Sequence, residues 1–158
     1  MSDGNVLQID KTYDEAYALL VEARNYAAFQ QKADAQGREG RSKLVISMES
    51  LRVTTRLTHV MSWLLMQKSY RAGEIGLDEW RADKNRLTGG TICEESPEYN
   101  HGLIPEKLGE LLEHSHRLYM RVARLDNLLR SEDPAARPSL EQRLEQLDRP
   151  HLRVVSRD

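Results

Sequence analysis

The stretch from Ser42 to Ala72 most constrains what this chain can fold into. It reads as one long helix that is apolar on two faces. At about 100° per residue, Leu44, Met48, Leu51, Thr55, Thr58, Ser62 and Leu65 fall on one side. Ile46, Val53, Leu57, Val60, Met61 and Leu64 fall on nearly the opposite side. A surface helix of a small domain needs only one apolar stripe. Two stripes imply two partners: the helix's own domain, and a second protein chain. No catalytic signature competes with this pattern, so the chain reads first as an interaction protein.

Composition narrows the fold. A chain of 158 residues suits one domain with a core of useful size. Charged residues make up 30% and aromatics 6%, with few Gly and Pro, which favours helices over sheet. The net charge of −2 and a pI near 6.2 weigh against a dedicated nucleic-acid binder. Cys93 is alone and can form no internal disulfide. With no signal-peptide apolar region at the start, a reducing, cytoplasmic setting is expected. The most apolar run, 60–66, is too short to cross a bilayer.

Residues 1–11 read as a flexible N-terminal arm. Thr12 then caps a first helix, with Asp14 and Glu15 in the first turn, where the helix dipole favours acids. Its inner stripe is Tyr13, Ala16, Tyr17, Leu20, Ala23 and Ala27. The sequence GREGRS breaks the chain before the long central helix, and Gly73 follows that helix as a C′ residue. A short helix is expected around LDEWRADKNR, and TGGTICEESPEYNHG reads as a flexible loop. A third helix starts near Pro105. Its stripe is Leu108, Leu111, Leu112, Ser115, Leu118, Tyr119, Val122, Leu125 and Leu129. SEDPAARPS ends it. In the tail, 132–158, Ser139 and Gln142 have capping-box spacing, and Leu140, Leu144 and Leu147 share a face of one short helix that Pro150 stops. The expected fold is an all-α, antiparallel three-helix bundle over 12–131. Its order is up-down-up, with a long central helix, a flexible loop and a C-terminal tail.

Few residues suggest chemistry. Cys93, Glu94, Glu95 and His101 share a loop, but their spacing fits no zinc pattern, and a solvated loop with one apolar thiol is the simpler reading. His114 and His116 diverge by about 200° on a helix and cannot share a ligand. His59 lies on the polar strip of the central helix. No glycine-rich phosphate loop is present. No metal, cofactor or catalytic residue is assigned. Arg117, Arg121 and Arg124 line the outer side of the third helix and could grip an acidic partner. They also follow Glu106, Glu110 and Glu113 in an order that complements the helix dipole, which accounts for them without a ligand. Arg24 and Asp126 each fall within an apolar stripe, where a charge needs a partner. A structural ion pair is expected for Asp126, with Arg24 or Arg52. The stripe Ile46, Val53, Leu57, Val60, Met61 and Leu64 is the expected dimer or partner interface; a folded-back tail or short helix is the alternative cover for it.

Three segments together resemble a known family: YDEAYALLVEARNY (13–26), ESLRVTTRLTHVMSWLLMQKSYRAGEI (49–75) and LLEHSHRLYMRVARLD (111–126). They are similar to the regulator of CtrA degradation, RcdA, an alphaproteobacterial family. They cover more than a third of the chain and touch all three main helices. The resemblance implies a small helical bundle that forms a homodimer and acts as a non-enzymatic adaptor. It would deliver cell-cycle regulators, including the response regulator CtrA, to the ClpXP protease together with other ClpX-associated adaptors. The protease's ATPase supplies the energy for unfolding, so no nucleotide site is needed. Two rival readings are a DNA-associated transcriptional regulator using Arg117, Arg121 and Arg124, and a small helical enzyme using His59, Cys93 or His101.

Overall fold

The computed structural model describes the backbone of residues 3–95 and 102–132, with side chains over 8–95 and 102–131. The regular structure described is helical, and an all-α bundle around one long helix is the fold. The elements are α1 (Asp3–Asn25), a π-helical turn (Tyr26–Gln30), α2 (Gln31–Ala35), α3 (Gly40–Arg71), α4 (Leu77–Arg81), a 3₁₀ turn (Asp83–Asn85), α5 (Gly90–Glu94) and α6 (Glu106–Glu132). The tail after 132, with Leu140, Leu144 and Leu147, and residues 96–101 lie outside the described residues.

The chain divides into two compact units, Met1–Arg124 and Leu125–Asp158. In the first, α1 is the helix that both others oppose. Lys68 and Arg71 near the end of α3 reach Asp10 near the start of α1, at 2.8 and 3.4 Å. Ser50, early in α3, bonds Gln31 beyond the end of α1 at 2.9 Å. In α6, Lys107 meets Glu22 at 3.2 Å, while His114 and Arg121 meet Glu15. Both α3 and α6 therefore run antiparallel to α1 and parallel to each other. The up-down-up order expected from sequence put the central helix in that role instead. The difference follows from the long connection after α3, whose described part, 72–95, climbs back along α3, so that α6 starts at the same end.

Helix α1 starts at Asp3, so the flexible arm expected over 1–11 is corrected. Ile9 is buried and Asp10 is tied to α3, which gives this mixed-polarity segment a reason to be helical. Thr12 is a mid-helix residue rather than a cap; its hydroxyl donates to the Gln8 carbonyl at 2.7 Å. The buried stripe of α1 is Ile9, Thr12, Ala16, Leu19, Ala23 and Tyr26, while Tyr17 and Ala27 are exposed. The π turn keeps the chain helical through the segment where the periodic pattern fades.

The break between α2 and α3 occurs at Gly37, whose φ of 77° suits glycine. Helix α3 ends in a Schellman motif. Gly73 has φ 75°, its N–H donates to the Tyr70 carbonyl at 3.1 Å, and the Glu74 N–H donates to the Ser69 carbonyl at 3.0 Å. The stripe on α6 is buried at every position the 3.6-residue period marks. In the second unit, Leu125, Asp126 and Leu129 are buried on the last turns of α6.

Candidate interaction surface

The two stripes of α3 have opposite fates. Ile46, Val53, Leu57, Val60 and Leu64 are 0–1% exposed, and Met61 is half-buried. They form the bundle's own core, so the interface expected on them is corrected. The other stripe is open: Leu44 is 61% exposed, Met48 55%, Leu51 66% and Leu65 50%. Between these apolar residues stand Thr55, Thr58 and Ser62, half-buried or exposed. The physical reason for the reversal lies in side-chain volume. Branched and long aliphatics fill the space among three helices better than hydroxyl residues do.

Hydroxyls on and beside the open face are bonded back within the helix. Ser47 donates to the Lys43 carbonyl at 3.1 Å, Thr54 to Ser50 at 3.1 Å, Thr55 to Leu51 at 2.9 Å and Thr58 to Thr54 at 2.8 Å. Such back-bonding leaves methyl groups and aliphatic tips to face outward. The face is therefore less polar than its composition suggests. An exposed apolar patch of this kind marks a contact surface.

The connection after α3 is clamped to the bundle by contacts that sequence reading did not foresee. Trp80 stacks on Tyr70 at 5.1 Å, and its indole N–H donates to Gln67 Oε1 at 2.9 Å. Thr88 bonds His59 Nδ1 at 2.8 Å, and its carbonyl accepts from Tyr119 Oη at 2.9 Å. Arg56 is fully buried and donates to three carbonyls: Nε to Cys93 at 3.0 Å, Nη1 to Leu112 at 3.2 Å and Nη2 to Glu95 at 2.6 Å. Burial, and after it the nearby Arg52, hold its pKa below the ordinary arginine value. His116 Nε2 donates to the Glu94 carbonyl at 2.8 Å. The loop expected here thus contains a short helix, α5, whose C-terminal carbonyls are capped from α3 and α6. Its orphan carbonyls are the reason basic side chains converge on it.

The remaining candidates are placed as follows. Cys93 is buried, and burial raises its thiol pKa. Glu95 lies 3.8 Å from Arg52, and His101 lies outside the described residues. Among the described residues there is no group of three or more His, Cys, Asp or Glu side chains that could hold a metal ion. Arg121 is engaged by Glu15 across the bundle, which corrects its assignment as a free contact for an acidic partner. Arg117 and Arg124 are exposed on α6. Arg24 is exposed beside the buried stripe of α1, so its assignment to a buried pair is corrected as well. Asp126 is buried and has Arg130 as an ion-pair partner at 3.7 Å, one turn along the same helix. Arg52 faces Glu49 at 3.5 Å. Among the described residues, no helix is long and apolar enough to cross a membrane.

Two comparisons bear on this architecture. A family described as "Protein of unknown function (DUF1465)" matches residues 3–150. The crystal structure of RcdA from Caulobacter crescentus CB15 is 33% identical, covers 79% of this chain and 93% of that chain, and superposes with a TM-score of 0.63. The chain belongs to the RcdA family. A search of curated proteins returned no match. The resemblance carried by the three helical segments is thereby borne out. The RcdA-like bundle here is one whose polar interior is spent on carbonyl caps and whose central helix keeps an open apolar face.

Proposed function

We propose that this chain is a non-enzymatic adaptor in regulated proteolysis. It acts in the cytoplasm as a homodimer. With other ClpX-associated adaptors, it helps deliver cell-cycle regulators, a CtrA-like response regulator among them, to the ClpXP protease. The observation that carries this reading is the match to RcdA at 33% identity over 79% of this chain and 93% of that one. The open face of α3 supports it, because an adaptor works through surfaces. Tethering raises the effective concentration of cargo at the protease without chemistry of its own. The polar side chains near Cys93 agree with this role: Arg56, His59 and His116 bond the protein's own connection rather than converge on a cleft.

The test is a reconstituted degradation assay with ClpXP, ATP, the co-adaptors and a response-regulator cargo, with and without this protein. Faster cargo loss in its presence is expected. An unchanged rate at saturating protein overturns the adaptor reading. Residues 132–158 are proposed as the tether, so a chain ending at Arg130 should deliver more slowly.

A further inference from the structure

We propose that the outward face of α1, continued through the π turn, is a docking strip for an acidic amphipathic helix of a partner protein. Tyr17 is 55% exposed, Val21 36% and Phe29 79%, and they recur at multiples of four residues. The Tyr17 ring is held in place: it stacks on Tyr13 at 6.5 Å, and Lys68 of α3 sits 4.7 Å from the Tyr13 centroid. An anchor already fixed in the free protein loses little freedom on binding. In an unbroken α-helix each step of four turns by about 40°, which would leave Phe29 roughly 120° around from Tyr17. The π turn at Tyr26–Gln30 holds more residues per turn, so each advances less, and Phe29 comes back toward the line of Tyr17 and Val21. The ring it re-aims is the most exposed of the large apolar side chains among the described residues. A π turn inside a helix that lines up exposed aromatics is a mark of a contact surface.

Charge selects the occupant. The acids of α1 that face α6 are already matched, Glu15 by His114 and Arg121 and Glu22 by Lys107. Arg24 and Lys32 are exposed beside the strip, and neither has an ion-pair partner among the described residues. One precedes Phe29 and the other follows it, about 12 Å apart along the helix at 1.5 Å per residue. Carboxylates two turns apart on a partner helix match that spacing, with the apolar side chains between them packed on Val21 and Phe29. Asp14 is exposed just before Tyr17 and would repel an acidic helix that ran further, so the strip extends from Tyr17 to Lys32.

The test uses full-length protein and two fluorescent synthetic helices of about five turns with the same leucine stripe, one flanked by glutamates two turns apart and the other by lysines. Fluorescence anisotropy should show the glutamate peptide binding, more weakly as salt is raised, and the lysine peptide binding about tenfold less well or worse. Phe29→Ala, and the double variant Arg24→Glu with Lys32→Glu, should each lose about tenfold in affinity for the glutamate peptide. Leu51→Glu, on the open face of α3, should bind it as the wild type does. All four positions are exposed, so the helical circular dichroism should not change. A glutamate peptide that fails to bind the wild type, or that binds Phe29→Ala equally well, would overturn the strip. Loss of binding in Leu51→Glu with none in Phe29→Ala would place the peptide on α3 and overturn it as well. Conversion of a wild-type dimer to monomer by Phe29→Glu, read by light scattering, would give the face to a second copy. Much tighter peptide binding by a chain ending at Arg130 would give it to this chain's own tail. Either result would overturn a partner protein as the occupant.

Discussion

Arg56 Nε donates to the carbonyl oxygen of Cys93 at 3.0 Å across 37 residues of sequence, in a site closed to water. The same guanidinium holds the Glu95 and Leu112 carbonyls, so one side chain of α3 fastens both the short helix α5 and the start of α6. A charged group in such a place is tolerable only because its donors are satisfied.

Removing that side chain should therefore be costly. Arg56→Ala strands buried carbonyls and leaves a cavity, and the expected loss is about 3–5 kcal/mol. Arg56→Lys keeps the charge but not the planar fork, and should recover only part of the loss. Urea melts of the two variants check this. Wild-type stability in Arg56→Ala would mean the connection is held by other contacts.

Gly89 shows how tightly the same region is packed. Its φ is 121°, and an added Cβ would lie 2.6 Å from Cys93 Sγ and 3.1 Å from Tyr119 Oη. Gly89→Ala combines backbone strain with overpacking, and a loss of about 2 kcal/mol or more is expected by thermal melting. Gly76, with open space around it, serves as the comparison and should tolerate alanine much better.

Acid should loosen the contact between α1 and α6. Burial alone would raise the Glu15 pKa and is its largest single influence, but the hydrogen bonds and charges of His114 and Arg121 together outweigh it, and the net shift is downward from 4.5. Asp10 is likewise lowered from 3.8, first by Lys68 and then by Arg71. A carboxylate with a depressed folded pKa stabilises the fold above its unfolded pKa, and the contribution is lost as pH falls through the folded value. Stability should thus decline below about pH 4.5. Both sites are part-exposed, so screening limits each contribution to about 1 kcal/mol or less. Melting curves of Glu15→Gln should show a flatter acid limb than the wild type; an identical limb would show that other carboxylates govern it.

How much of this was legible in the sequence depended on whether the deciding contact was local. Helix α6 could be read throughout, because one strong stripe at helical spacing meets one core. The Schellman stop at Gly73 was readable for the same reason. Helix α3 disclosed that it had two apolar faces but not which one turned inward. Threonine methyls and leucines look alike to a periodicity, and only the volume among three helices chooses between them. Arg56 gave no sign of burial in the sequence, since its partners are backbone carbonyls 37 to 56 residues away. Asp126 was recognised as a charge in need of a partner. One partner lies one turn along its own helix, where Arg130 satisfies the i,i+4 geometry. The start of α1 was missed because Asp10 gains its stabilising contacts from α3.

The two faces of α3 give the last prediction. Leu57 is fully buried and Leu51 is 66% exposed, though both are leucines in the middle of one helix. Leu57→Ala empties part of the core and should cost about 2–5 kcal/mol. Leu51→Ala truncates a largely exposed side chain, and its effect on unfolding of the isolated subunit should stay within about 0.5 kcal/mol. Charge separates the faces further. Leu57→Glu places an unpaired carboxylate in the core and should unfold the subunit rather than merely separate two copies. Leu51→Glu should leave the helical signal intact. Denaturant melts at low protein concentration measure the difference, with circular dichroism at 222 nm following the helix. If Leu51→Ala proved as damaging as Leu57→Ala under those conditions, the open face would be covered within the chain itself.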